Sequence, residues 1–275
     1  MKVLIIGAGN QGVLADAIGS QNEHKVISFA HAFKEREAEL YFYDNVNKKA
    51  FDAFHLWGGV ATTPRYALEQ LKMDIVVITT PDHTHYEQLI QIATPGYNKP
   101  KLVICEKPLC STAEQAQKIV NLYSENGIPI LVNYTRRFIP ELIHLKNRYD
   151  SGEFGNLETY QILYNRGDLH TGTHAIDFMS WFLDGKADES LKLNGIKDNV
   201  MFKYCDYRVW NIQLFFQKHF WQEQRILDMP VPSYFDYSTR YVVENAYNFL
   251  AGEERLRCTD KDALKALVIL EELIK

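Results

Sequence analysis

The chain has 275 residues, enough for one large or two modest domains with a buried core, and its 46% apolar and 24% charged residues are ordinary for a globular protein. A net charge of −5, with acids and bases interspersed, argues against nucleic acid or an anionic membrane surface as a partner. No apolar run nears the roughly 20 residues that span a bilayer, and four cysteines without C-x-x-C spacing fit free thiols in a reducing, cytoplasmic setting.

Val3–Ile6 reads as a buried strand, too short for a signal-peptide core. Gly7, Gly9 and Gly12 follow directly as G-x-G-x-x-G, opening the helix-like stretch "NQGVLADAIGS". In that setting Gly7 permits a tight turn, Gly9 lets the backbone approach a pyrophosphate, and Gly12 allows close helix–strand packing. The helix N-terminus beyond Asn10 and Gln11 supplies N–H groups for the anion. Dinucleotide binding is the expectation.

The next apolar run, Lys25–Ala30, is expected to be the second strand. An Asp or Glu about 20 residues after the glycines receives the ribose hydroxyls in NAD-binding folds. On this reading His31 stands there instead, followed by Lys34 and Arg36. His31 can hydrogen-bond a ribose hydroxyl, and the two cations can meet a 2′-phosphate; alternatively all three are solvated loop residues. NAD against NADP stays open.

Ile75–Thr79, Leu102–Cys105 and Pro129–Asn133 read as further buried strands, separated by the helical patterns "TPRYALEQLK", "HYEQLIQIA" and "TAEQAQKIVNLYSEN". The alternation predicts a doubly wound α/β domain over residues 1–133. His83 and His85 form an H-x-H pair, but no nearby cysteine or acid pattern completes a tetrahedral set, so no metal is expected. Glu106, Lys107 and Pro108 arrive at the end of a buried strand without a spacer. They are either a solvated turn or a reaction site, since ligands of open α/β sheets bind outside the carboxyl ends of strands.

Beyond residue 134 the pattern changes. "IPELIHLKNRYDSGEFG" reads as a helix closed by glycines, "LETYQILYN" as a half-exposed strand, and "THAIDFMSWFLDG" as an amphipathic helix. Aromatic and β-branched runs from Lys192 to Ile226 predict a mostly antiparallel sheet, and "TRYVVENAYNFLAG" and "DKDALKALVILEELIK" two more helices. An α+β domain over 134–275 is expected. His174 falls at a helix start, where the dipole favours the neutral, proton-accepting ring, and Asp177 shares its face.

With the glycine loop, "TTPDHTH", "CEKP", "NYTRRFIP", "SGEFGNL", "GTHAIDFMSWFLDG" and "DALKALVILEELIK" in that order, the chain resembles the Gfo/Idh/MocA family over nearly its whole length. The resemblance implies a Rossmann domain followed by an open, mainly antiparallel sheet domain, with C-terminal helices packing back on the first. It implies NAD or NADP as cofactor and hydride transfer at a CH–OH group of a sugar, sugar derivative or cyclitol. It also implies a homo-oligomer assembled through the second-domain sheet.

By the same resemblance Lys107 lies beside the reacting carbon and nicotinamide, often before a cis proline, and Glu106 holds the loop or touches the cofactor. Thr80, Pro81 and His85 belong to the loop that lines the cofactor cleft, where Asp82 positions backbone. His174 matches the catalytic base. His170 stands where many members carry Asp, and either shares the proton work or marks a different substrate set. Tyr134 and Arg136 are expected at the substrate pocket with Asp177, and Arg137 either there or in a structural ion pair. Two other classes exist among such relatives: a non-catalytic dinucleotide-binding regulator and a cofactor-assisted glycoside hydrolase.

Overall fold

The computed structural model describes residues 1–14, 27–155, 157–163, 169, 172–183, 211–216 and 238–274. Strands β1 (Lys2–Ile6), β2 (Glu39–Tyr43), β3 (Val60–Ala61), β4 (Ile75–Ile78), β5 (Leu102–Cys105) and β6 (Ile130–Val132) form one parallel sheet. Their order is β3-β2-β1-β4-β5-β6. Every residue of β4, β5 and β6 is buried, because helices cover both faces of a parallel sheet and leave no wet side. The connection direction reverses between β1 and β4, so their carboxyl ends flank the crevice where such sheets take ligands.

The helices are α1 (Phe29–Lys34), α2 (Asn47–Trp57), α3 (Pro64–Tyr66), α4 (His85–Ile92), α5 (Ala113–Asn126), α6 (Pro140–Asp150), α7 (Thr173–Leu183), α8 (Ser238–Leu250) and α9 (Asp260–Leu273). Local chemistry fixes several ends. Thr112 caps α5 by accepting from the Gln115 N–H, and Gly127, at φ 65°, closes it in the left-handed conformation. Thr259 and Asp262 form a reciprocal capping box at the start of α9.

One expectation is corrected. The second strand of the sheet is Glu39–Tyr43; of the run Lys25–Ala30 expected there, Lys25 and Val26 lie outside the described residues and Phe29 and Ala30 open a helix. Ser28 accepts from the His31 N–H at 3.2 Å as an N-cap, and the buried Phe29, Ala30, Ala32 and Phe33 then follow helical spacing. His31 therefore lies in α1, its ring 3.2 Å from the Glu35 carboxylate and 5.1 Å from the Trp57 ring centroid.

In the second half, β7 (Leu157–Leu163) and β8 (Asn211–Phe216) pair antiparallel. The rest of the sheet expected over Lys192–Ile226 lies outside the described residues. The last two helices pack on the first half. Glu271 accepts from the Ala113 N–H at 2.8 Å, Arg240 pairs with Glu35, and Gln11 Nε2 donates to Thr239 Oγ1 at 3.4 Å. The Val132 N–H donates to the Cys258 carbonyl at 3.1 Å, and Leu131 forms an antiparallel bridge with Thr259. A continuous apolar core runs from Val3 in β1 to Leu270 in α9. Among the described residues no helix is long and apolar enough to cross a membrane.

Candidate active site

The glycine loop is built by three different steric demands. Gly7 has φ 102°, and a Cβ there would lie 2.7 Å from the Thr79 carbonyl carbon. A Cβ on Gly12 would run into the Gly7 carbonyl oxygen and approach Thr79 Oγ1 to 2.6 Å. That hydroxyl donates to the Gly7 carbonyl at 2.7 Å and closes the loop onto β4. A Cβ on Gly9 would meet nothing within 4 Å, so the backbone there borders open space. Asn10 and Gln11 open a π-type turn over Asn10–Leu14. An open cradle at Gly9 beside two sterically locked glycines fits a pyrophosphate.

With β2 correctly placed, Asp44 is the residue that leaves its end. Its Oδ2 accepts from the Ala8 N–H at 2.9 Å and its Oδ1 from the Val46 N–H at 2.9 Å, while the Gly7 N–H donates to Tyr43. The chain thus does carry an acid at the carboxyl end of the strand beside β1, about 30 residues beyond the glycines rather than the usual spacing of about 20. The missed signal was "ELYFYD", five strand-forming residues ended by an acid.

On the other side of the crevice, Thr80 and Pro81 leave β4 and precede a turn at Asp82–Thr84, where Thr84 Oγ1 bonds to Thr80 Oγ1 and the Pro81 carbonyl. His85 opens α4 and is 1% exposed. Its Nδ1 lies 2.8 Å from the Pro108 carbonyl and its Nε2 2.9 Å from the Thr80 carbonyl. Both ring nitrogens are thereby engaged, and His83, exposed beside Asp82, does not share a ligand set with it. Burial lowers the pKa of His85, the two carbonyls and Asp82 pulling it back up.

Glu106, Lys107 and Pro108 follow β5, and the Lys107–Pro108 bond is cis. The Glu106 carboxylate accepts from Asn133 Nδ2 at 2.6 Å and from the Lys107 N–H at 3.3 Å. Burial raises its pKa, against the pull of Asn133 and the Lys107 charge. Glu106 is therefore tied into the loop, and Lys107 is left half-buried at the strand end. Asn133, the first residue of "NYTRRFIP", is the partner to which sequence reasoning gave no role.

His174 is the second residue of α7 and half-buried, as expected from its pattern. Tyr134 is fully buried, and its ring meets that of His174 edge-on at 5.5 Å and 87°. As placed, Tyr134 contributes to the packing behind the histidine. Asp177, one turn on and 1% exposed, is gripped by Arg137 Nε at 3.0 Å and Nη2 at 2.8 Å. Arg137 also reaches Asp262 at 3.1 Å and the Arg257 carbonyl at 3.3 Å, which joins α7 to the start of α9. Burial pushes the Asp177 carboxyl up to about 6, with Arg137 opposing. Arg136 is also buried, which brings its pKa down to about 9. His170 lies outside the described residues.

One short segment therefore borders the surroundings of both Lys107 and His174. Asn133 holds Glu106 beside Lys107, Tyr134 backs His174, and Arg137 anchors Asp177 one turn from it.

Residues 1–134 match the family model described as oxidoreductase family, NAD-binding Rossmann fold (GFO_IDH_MocA). Inositol 2-dehydrogenase 2 of Saccharopolyspora erythraea is 31% identical over 136 residues, 45% of this chain and 39% of that protein. The scyllo-inositol 2-dehydrogenase (NADP(+)) of Bacillus subtilis is 31% identical over 94 residues, 34% of this chain and 25% of that protein. The matched stretch thus spans well under half the length of these curated relatives. A solved structure of a putative myo-inositol dehydrogenase from Sinorhizobium meliloti shares the fold, with TM-score 0.73 at 17% identity, over 99% of this chain and 96% of that one. The likeness to the GFO_IDH_MocA oxidoreductases therefore covers the NAD-binding Rossmann portion, just under half of the chain.

Proposed function

We propose that the chain is an NAD(P)-dependent oxidoreductase that moves a hydride between nicotinamide and a secondary alcohol, or its ketone, on a sugar, sugar derivative or cyclitol. The observation that carries this reading is the Glu106-Lys107-Pro108 turn at the carboxyl end of β5, two strands from the glycine loop on β1. The inositol dehydrogenase names of two relatives support the substrate class. When bound, the nicotinamide supplies or accepts the hydride. Lys107 donates to the substrate oxygen and stabilises its anionic character. His174, at the start of α7, takes the hydroxyl proton. His170 acts on the substrate side.

Residues 1–133 hold the dinucleotide, and 134–275 supply the substrate pocket. The second half completes an open, mainly antiparallel sheet around β7 and β8, through which the chain forms a homo-oligomer. Buried free thiols at Cys105, Cys110 and Cys258 accord with action in the cytoplasm.

Asp44 further favours NAD, because a carboxylate there accepts ribose hydroxyls and repels a 2′-phosphate. The test is a fluorescence titration with NADH and NADPH, followed by nicotinamide absorbance with inositol isomers and sugars. Wild type should bind NADH more tightly. Asp44→Asn keeps an acceptor for the Ala8 N–H but removes the charge, and should shift the ratio toward NADPH by about tenfold, about 1.4 kcal/mol. Absence of dinucleotide binding sinks the proposed function; an unmoved ratio sinks the role of Asp44.

A further inference from the structure

The Thr80-Pro81 loop after β4 and the Lys107-Pro108 turn after β5 are separate pieces of chain, and both must be held for the proposed chemistry. Neighbouring strands fix where the loops begin, through pairs such as Ile78↔Cys105, but the ladder stops there. Beyond it, one side chain bridges them. His85 reaches the Thr80 carbonyl through Nε2 at 2.9 Å and the Pro108 carbonyl through Nδ1 at 2.8 Å. Both partners are acceptors, so the neutral ring donates to one carbonyl at a time and the doubly protonated ring to both, while the geometry holds the ring between the two in either form. Thr84 adds a second tie on the β4 side, its hydroxyl lying on Thr80 and the Pro81 carbonyl.

We propose that His85 is a positioning residue, a two-point clamp that registers the cofactor-side loop against the turn carrying Lys107. The inference rests on the proposed oxidoreductase function for its purpose, though not for its geometry. His85 touches neither substrate nor the reacting atoms. It acts through Thr80 on the cofactor side and through Pro108 on Lys107. Burial disfavours its charged form, as Lys107 does, while the Pro108 and Thr80 carbonyls and Asp82 favour it.

The two contacts can be separated by length. A glutamine amide nitrogen overlies Nε2 of histidine, and an asparagine amide nitrogen overlies Nδ1. H85Q therefore keeps the donor to Thr80, and H85N the donor to Pro108. H85A loses both. Amide hydrogen exchange is read in the segments 79–82 and 107–111, with NADH affinity by fluorescence and melting temperature as companions. H85N should raise exchange at 79–82 about tenfold, weaken NADH about tenfold, and leave 107–111 near wild type. H85Q should raise exchange at 107–111 about tenfold while keeping NADH affinity within about threefold of wild type. H85A should loosen both segments. These magnitudes correspond to one lost buried hydrogen bond.

Equal loosening of both segments in H85N and H85Q overturns the clamp, as does a fall in melting temperature with no local difference. If wild type does not bind NADH, the oxidoreductase reading falls while the exchange pattern still decides the clamp.

Discussion

The glycine loop and the surroundings of Lys107 and His174 are made of different materials. The glycine side is backbone: Gly7, Gly9 and Gly12 work by lacking a side chain, and Thr79 locks them with one hydroxyl. The lysine and histidine side consists of side chains held by other side chains, Asn133 on Glu106, Arg137 on Asp177 and Tyr134 against His174. A backbone cradle suits a ligand part without variety, a pyrophosphate, and it is intolerant of added atoms. A side-chain network can be re-cut one partner at a time, and it depends on burial that the distant chain must supply.

The comparison breaks most visibly at the reactive end. His174→Ala should slow single-turnover hydride transfer by about 100- to 10,000-fold, as for loss of a general base. Lys107→Met should cost about 100- to 1,000-fold. The double variant should be little worse than the poorer single, because groups serving one proton transfer are non-additive. Both variants should still bind NADH, since neither touches the glycine loop. Full activity in either single variant rules out its assignment.

Arg137→Leu tests whether the network is structural. It leaves the buried Asp177 carboxylate uncompensated, and urea unfolding should show a loss of about 3–5 kcal/mol. A loss under about 1 kcal/mol would mean that α7 is held by its apolar face alone.

A pair of glycine variants sharpens the contrast on the other side. Gly12→Ala drives a methyl into the Gly7 carbonyl and Thr79, so it should destabilise by about 1–3 kcal/mol. Gly9→Val enters open space and should leave the melting temperature unchanged while abolishing NADH fluorescence enhancement. If the two variants behave alike, the distinction between packing and ligand approach is wrong.

The smallest effect belongs to the exposed pair that joins α1 and α8. Glu35→Gln removes its charge from Arg240 and should cost about 0.2–1 kcal/mol, shrinking further in high salt.

Residues buried on both faces were legible in the sequence. Val3–Ile6, Ile75–Ile78 and Leu102–Cys105 are apolar runs that only a covered parallel sheet explains. The Glu106-Lys107-Pro108 end and the helix start at His174 were readable for the same reason, as abrupt polarity beside a periodic element. The Phe29 region misled because its apolar residues satisfy two periods, and the Ser28 cap decided for helix. Asp44 was missed with it, since its meaning depends on which strand it ends. The partners of His85, Asn133 and Arg137 were beyond reach for another reason, although an ion pair was one of the two readings of Arg137. Each joins residues far apart in the chain, His85 to Pro108, Asn133 to Glu106, Arg137 to Asp177, and local pattern carries no trace of such pairs.

The antiparallel bridge from Leu131 to Thr259, with the Val132 N–H on Cys258, covers the outer edge of β6 with a segment made more than 120 residues later. During synthesis the six-stranded sheet thus emerges with one raw edge, and its α5 face waits for Glu271 and the apolar stripe of α9. Such an edge is a template for pairing with another nascent chain. A ribosome-bound chain halted before residue 259 should be held by chaperones, and release of that hold should coincide with emergence of the last helix rather than with completion of the sheet's own strands.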